Sequence, residues 1–375
     1  MNYIGPEAII DLGKYKNNLL SIQDYVGVHT KVMAVVKANA YGHGAVYIAK
    51  AALQVGINHF AVATLYEAME LVNAGIDGII LILGHLTSDE LKIAGEKHLR
   101  VTISSMETFE MIQELGIKIS THIKVDTGLS RYGFYLHRLN DIPNLIESCT
   151  RMIHSKFAIV EGIYTHFSSS DSDYEFTMDQ FNIFSEFKKQ IHSLGETSIM
   201  FHCANSAATI KYKQTHLDMV RVGLSSFGIL PFEDMPPGID LTLNPVLSLK
   251  SSITQIKNLL QDDFVGYGRT YKTKHKVKIA ILNIGYADGI NRLLSNHGLV
   301  LVNGKIAKII GRVSMDVCTI DVTDIDVSLY DEAYFVSPNK TDVLSVKHMA
   351  SLINTIEYEV LCNLGTRIKR TYISG

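Results

Sequence analysis

Between Lys31 and Val222, short apolar runs alternate with stretches whose apolar residues recur every three or four positions. The runs are Lys31–Lys37, His59–Ala63, Gly78–Leu83, Arg100–Ile103, His122–Val125, Ile159–His166, Ser198–Cys203 and Met219–Val222. They are rich in Val and Ile, and most are bounded by Gly, Asn, Asp or Ser, which predicts strands. Between them, Ala45, Ile48, Ala49, Ala52 and Leu53 form one predicted helix face, and Leu65, Ala68, Met69 and Val72 another. Ser88 and Ser104 read as helix N-caps, and Gly75 and Gly116 as C-terminal stops. Eight strands alternating with helices predict an α/β fold, a (β/α)8 TIM barrel. A doubly wound open sheet is the alternative. The count of eight and the lack of an early Gly-x-Gly-x-x-Gly favour the barrel.

The pattern changes after Leu230. Pro231, Pro236, Pro237 and Gly238 punctuate a linker, and the chain then reads as strands over Leu247–Lys257, Lys276–Ile284, Leu299–Val302, Lys305–Ile310 and Thr319–Val322. Asn303-Gly304 between two apolar runs is the preferred chemistry of a tight hairpin turn. The expected division is a barrel domain over residues 1–240 and a C-terminal, mostly β-strand domain over 241–375. The extreme N-terminus is expected to pack on the second domain.

Composition narrows the function. Of 375 residues, 47% are apolar and 19% charged, which supports a sizeable core and excludes intrinsic disorder. A formal net charge of −3 gives no overall reason to bind nucleic acid or an anionic membrane. No apolar run reaches the roughly 18 residues of a membrane span. Met1 to Asp11 lacks the pattern of a secretory signal, and the C-terminal residues carry no lipidation or retention signal. Cys149, Cys203, Cys318 and Cys362 are not spaced as metal pairs or as a disulfide framework. A reducing, cytoplasmic setting is the expectation.

The first strand runs directly into Lys37-Ala38-Asn39-Ala40-Tyr41-Gly42-His43-Gly44. In a barrel, the C-terminal strand ends form the active-site face. A lysine emerging there from an apolar strand is partly desolvated, which disfavours its ammonium and suits imine formation. Taken alone, Lys37 reads better as a solvated strand-end lysine. The small residues and glycines after it allow something bulky to approach the backbone.

Val36 to Gly44 resembles the pyridoxal-phosphate lysine motif of alanine racemases, and the resemblance extends through nearly the whole chain. Lys124-Val125-Asp126-Thr127-Gly128-Leu129-Ser130-Arg131-Tyr132-Gly133 is similar to the family's second block, and Gly162-Ile163-Tyr164-Thr165-His166-Phe167 to its third. His202-Cys203-Ala204-Asn205-Ser206-Ala207 and Val220-Arg221-Val222-Gly223 follow in the family's order. Gly285-Tyr286-Ala287-Asp288-Gly289 is the most specific signature. Gly311-Arg312-Val313-Ser314-Met315-Asp316 and Thr355-Ile356-Glu357-Tyr358-Glu359-Val360 complete it.

The resemblance implies a pyridoxal 5'-phosphate enzyme that interconverts L- and D-alanine, supplying D-alanine for peptidoglycan. The cofactor is the electron sink, and two bases act on opposite faces of the substrate. Lys37 is implied as the imine lysine and one base, and Tyr286 as the other. A free tyrosine titrates near 10, so Tyr286 needs the neighbours His166 and Arg221. Arg221 is also implied to face the pyridine nitrogen. A guanidinium can donate there but does not readily give up a proton, which weakens the sink and should suppress transamination. Asn205, Ser206, Gly223 and Leu224 are implied in cofactor binding, the last three at its phosphate with the hydroxyls of Tyr41 and Tyr358. Barrels usually bind phosphate at the loops after strands seven and eight. Arg131 and Met315 are implied to hold the substrate carboxylate, an Arg fork being suited to one. Lys124 matches a position carbamylated in many relatives. Tyr286, Met315 and Asp316 are implied to reach the site of a second copy, which makes the enzyme a homodimer with shared sites. No metal is implied.

The chain departs from the family pattern at Phe227, Glu357, Val317 and Gly266. Glu357 adds a negative charge near the implied substrate entrance, expected to alter pH dependence or affinity for anionic inhibitors. Among rival readings, a serine-preferring or broad racemase differs by one hydroxymethyl group, which an apolar pocket discriminates weakly. A decarboxylase conflicts with Gly285–Gly289. A non-catalytic cofactor-binding barrel conflicts with the second domain and Tyr286. A barrel enzyme acting on a sugar phosphate leaves the order of the blocks unexplained.

Overall fold

The computed structural model describes residues 4–337 and 342–374. These residues divide into two compact units. One comprises Tyr15–Ala40 and Ala45–Leu243; the other comprises the chain up to Lys14, the short stretch Tyr41–Gly44, and Asn244 onward.

The first unit is the barrel. Its strands, in chain order, are Lys31–Val35, His59–Val62, Ile79–Ile82, Arg100–Ile103, Ile119–Asp126, Ala158–Tyr164, Met200–His202 and Met219–Val222. Each pairs in parallel with its predecessor up to Met200–His202, and Met219–Val222 pairs with Lys31–Val35. The remaining seam carries the bonds Asp218 N–H to Phe201 O (3.1 Å) and Arg221 N–H to Ala204 O (2.9 Å). The ring is therefore nearly closed. The strands are buried almost throughout, as expected where helices cover a parallel sheet.

Helices follow the strands with local signals that explain their limits. Leu65–Asn73 opens on a Thr64–Glu67 capping box and Ser88–Glu96 on a Thr87–Glu90 box. Met106–Leu115 is capped by Ser105 and stops at Gly116 in the left-handed conformation (φ 64°). The caps are thus Thr87 and Ser105, each one residue from Ser88 and Ser104. In each case the oxygen that can reach the third helical amide decides the boundary. The buried face of Leu65–Asn73 centres on Leu65, Ala68 and Leu71 rather than on Met69 and Val72, which are half-buried.

The second unit is mostly antiparallel. The long strand Leu247–Leu259 pairs through its first half with Glu332–Val336 and through its second with Val277–Leu282. The path Val277–Leu282, Cys318–Asp321, Lys305–Ile309, Leu299–Val302, Glu332–Val336 returns to Leu247–Leu259, so six strands close on themselves. Glu7–Asp11 adds to the edge beside Leu247–Lys250, and Lys369–Ile373 adds beyond it in parallel. Asn303 and Gly304 both take positive φ (48° and 77°) between paired strands, the tight turn expected from that dipeptide. The helices Val346–Leu352 and Glu357–Cys362 also belong here. Among the described residues no helix is long and apolar enough to cross a membrane.

Candidate active site at the barrel's C-terminal end

Lys37 stands two residues past the end of the first barrel strand and is half-buried. The backbone after it is unusual. Ala38, Asn39, Ala40 and Tyr41 all have φ near +52°, a left-handed turn built without glycine. L-residues avoid this region by roughly 1–2 kcal/mol each, so the surroundings must hold it. Two side chains do. The Glu67 carboxylate accepts from Ala38 N–H through Oε1 (2.6 Å) and from Ala63 and Thr64 N–H through Oε2 (2.6 and 3.2 Å). Asn39 Oδ1 accepts from Ala45 N–H at 2.8 Å. Glu67 thus ties the peptide next to Lys37 to the loop after the second strand.

Lys124 lies on the fifth strand and is 5% exposed, with its Nζ over the rings of Tyr164 (5.6 Å) and Tyr132 (5.7 Å). Burial first, then the charges of Arg131 and Arg221, pull it down to about 8. Arg131 sits in the following loop, which Asp126 organises by accepting from the amides of Gly128, Leu129 and Ser130 at 2.9–3.0 Å. Burial opposes ionisation of Asp126, but those three amides hold its carboxyl below the ordinary range.

Arg221, on the eighth strand, is buried and carries only donors. Its Nη2 donates to Thr165 O (2.7 Å) and Cys203 O (3.3 Å), and its Nη1 to His202 O (3.1 Å). It also faces two imidazoles: His202 Nδ1 at 2.8 Å and His166 Nδ1 at 3.2 Å. Because Arg221 cannot accept, each Nδ1 must be bare, and the His166 proton sits on Nε2. Burial, and then the charges of Arg221, Arg131, Lys124 and Lys37, drive His166 well below its ordinary value, so it is neutral.

The loops after strands seven and eight meet at Ser206. Its Oγ accepts from Gly223 N–H (3.1 Å) and from the amide and hydroxyl of Ser225 (3.3 and 3.0 Å). Asn205 is the cap of the helix Ser206–Lys211, its Oδ1 accepting from Ala208 N–H (3.0 Å) and Ser170 Oγ (2.8 Å). Leu224 begins the turn after Gly223 and is buried.

Other predicted residues fall in the second unit. Tyr41 and Tyr358 have ring centroids 5.8 Å apart. Tyr286 and Met315 are exposed, at 42% and 53%. Their two loops are stapled together: Tyr286 N–H donates to Ser314 O and Ala287 N–H to Met315 O, both at 3.0 Å. Arg367 bridges Asp288 (2.6 Å) and Asp316 (2.8 Å). Glu357 opens the helix Glu357–Cys362 and is half-buried.

The barrel unit therefore brings together Lys37, Lys124, Arg131, His166 and Arg221, which act on one another electrostatically. Among the described residues no carboxylate forms an ion pair with Lys124, Arg131 or Arg221, and no cluster of metal-ligating side chains exists. Such a site seeks an anion. Sequence reasoning missed Glu67. The Thr64-x-x-Glu67 capping signature was visible, but its reach to Ala38 is a tertiary contact.

Comparison with known proteins gives this architecture its class. A family model described as "Alanine racemase, N-terminal domain" matches residues 10–231, and one described as "Alanine racemase, C-terminal domain" matches 246–372. A barrel with this lysine and this strand-rich unit defines an enzyme of the amino-acid racemase class. Alanine racemase from Desulforamulus reducens is 40% identical over 372 residues, covering 98% of each chain. Alanine racemase from Methanococcus maripaludis is 39% identical over 375 residues, again covering 98% of each. The crystal structure of alanine racemase from Bacillus anthracis with bound L-Ala-P has a TM-score of 0.91 and 32% identity, covering 100% of this chain and 96% of that one. The chain belongs to the alanine racemase family.

Replacing Glu67 with Gln exchanges one of two acceptor oxygens for a donor that opposes a backbone N–H. An orphaned backbone donor costs about 1–3 kcal/mol. Racemase activity per folded enzyme should fall about tenfold in Glu67→Gln and further in Glu67→Ala. Steady-state kinetics with the thermal midpoint measured in parallel checks this; unchanged kinetics in both variants contradicts the clamp.

Proposed function

We propose that the chain interconverts L- and D-alanine with pyridoxal 5'-phosphate as cofactor, Lys37 and Tyr286 serving as the two bases. The observation that carries this reading is the group of cations Lys124, Arg131 and Arg221 near Lys37 at the C-terminal end of the barrel; among the described residues no carboxylate forms an ion pair with any of those three. A relative bound to L-Ala-P supports alanine as substrate.

The residues fit the cofactor. Lys37 supplies an amine at the strand end, Ser206 and the Gly223 and Leu224 amides supply the donors for a phosphate, and Tyr41 and Tyr358 add hydroxyls. Asn205 contributes by fixing Ser206 at the start of its helix. Arg221 donates to the pyridine nitrogen and stays protonated there. When bound, the cofactor supplies the electron sink that acidifies the substrate α-carbon.

The chain's own groups do the rest. Arg131 holds the substrate carboxylate with its fork, and Met315 lines the same position. Lys37 Nζ takes or returns the α-proton on one face, and Tyr286 Oη acts on the other. The His166 Nε2–H, directed away from Arg221, is the donor that stabilises the Tyr286 phenolate. Tyr286, Met315 and Asp316 come from a second copy, so the enzyme is a homodimer. The barrel domain takes residues 1–240 and the strand domain 241–375, with the extreme N-terminus and the short stretch Tyr41–Gly44 grouped with the strand domain. Cytoplasmic D-alanine for peptidoglycan is the use.

Lys124 is carbamylated. Its neutral amine adds to carbon dioxide, forming an N–C bond and releasing a proton. The product is an anion beside Arg131, where an ammonium would repel. A lysine held near 8 has an appreciable neutral fraction at neutral pH.

Four measurements follow. L-alanine incubated with the loaded enzyme in heavy water should lose chirality and gain α-deuterium; no deuterium overturns the racemase reading. In Tyr286→Phe, proton exchange should become strongly one-sided, and equal loss in both directions contradicts two bases. Mixing inactive Lys37→Ala with inactive Tyr286→Ala should restore activity through mixed dimers holding one intact site, and no recovery excludes shared sites. At fixed dissolved 13C-labelled carbon dioxide, a carbamate resonance should grow as pH rises through 8 and be missing from Lys124→Arg. Its absence from the native enzyme would leave Lys124 an ordinary amine.

A further inference from the structure

The buried polar chain in the barrel does not stop at Arg221. His202, fully buried, turns its Nε2 to His122 Nδ1 at 2.9 Å, the two rings meeting edge-on with centroids 5.1 Å apart. Arg221 cannot accept, so His202 Nδ1 carries no proton. A neutral imidazole has one N–H, so that of His202 lies on Nε2. His122 Nδ1 must then be the acceptor, and the proton of His122 lies on its own Nε2. One donor-only guanidinium fixes the protonation of both rings. His202 is also stacked on Tyr164 (4.9 Å, 6°), whose hydroxyl is tied to Thr102 at 3.0 Å, so the ring is held in place.

Two independent features place His122 there. The pairing between the fifth and sixth strands shifts register between Thr121 and His122, leaving Glu161 as an extra residue. Such bulges re-aim side chains. The shift sets Gly162 opposite His122, where an added Cβ would lie 2.5 Å from His122 Nδ1. Only glycine leaves room for the ring. Burial drives both imidazoles toward the neutral form, His122 to about 4.

We propose that His122 is a positioning residue for the reaction: by accepting the Nε2–H of His202 it locks His202 in the tautomer that presents a bare nitrogen to Arg221, and so aims the guanidinium. Its effect on catalysis rests on the reading of Arg221 as the group facing the cofactor ring. Without His122, the His202 Nε2–H is a buried orphan, and the relief available is a tautomer shift that sets two donors against each other at Arg221.

Neutron diffraction from the full-length enzyme tests the protonation directly. The expected result is deuterium on Nε2 and none on Nδ1 in both His202 and His122; deuterium on His202 Nδ1 overturns the inference. Variants test the consequence in the loaded enzyme. His122→Leu, which removes the acceptor, should lower kcat about tenfold with KM changed less than twofold. It should also shift the visible cofactor band and raise the share of turnovers ending in transamination. His122→Asn, whose Oδ1 restores an acceptor, should recover kcat to within about threefold and return the band. Native kcat and spectrum in His122→Leu, or equal losses in the two variants, overturn the positioning role. If the chain neither binds pyridoxal phosphate nor racemises alanine, the proposed function fails, while the neutron result still decides the tautomers.

Discussion

A guanidinium buried in a barrel has five N–H groups to satisfy and nothing to accept with. Arg221 meets most of this demand through Nη1 and Nη2, which face three backbone carbonyls and two imidazole nitrogens. The carbonyls come from the ends of neighbouring strands, so the barrel's register is part of the site. The imidazoles must be bare where they face it, so His166 and His202 are neutral by geometry before any effect of burial. A positive charge left without a carboxylate then sets the sign of everything added to the cavity. Lys124 and Arg131 reinforce that sign, so the arrangement favours anionic groups.

The second constraint is backbone strain beside the reactive amine. Four consecutive left-handed residues follow Val36-Lys37, and none of them is glycine. This conformation persists because Glu67 and Asn39 over-determine it. Strain beside Lys37 limits where its chain can point, and a fixed origin suits the tasks proposed for its amine. The carboxylate that provides it sits in a helix cap, so one residue ends a loop, starts a helix and braces the site.

Much of this was legible in the sequence because the barrel strands are continuous Val- and Ile-rich runs, a pattern that survives without tertiary information. Asn303-Gly304 was legible because its conformation is local. The strand Glu7–Asp11 was not read as one. It alternates Ala8 and Ile10 inward, but five residues flanked by Glu7 and Asp11 give a weak signal, and its partners lie some 240 and 360 positions away. The helix caps lie one residue from the expected ones because hydroxyl residues stand side by side at Thr87-Ser88 and Ser104-Ser105, and only the reach of the oxygen distinguishes them. In the site, motif order drew attention to Lys37, Arg221 and Tyr286. Glu67, His122 and Gly162 work through hydrogen bonds and space across strands, which no local pattern encodes.

The place of Glu7–Asp11 has a consequence for how the molecule is made. This strand lies between Leu247–Lys250 and Lys369–Ile373, pairing with both. In synthesis from the N-terminus, Glu7–Asp11 waits for Lys369–Ile373, some 360 positions later, before its second edge is covered. Most barrel strands find their neighbours at short separations in the chain, while this sheet closes only across some 240 and 360 positions, the slow kind of contact. Assembly of the second unit therefore waits for Lys369–Ile373, and the barrel is free to form before it.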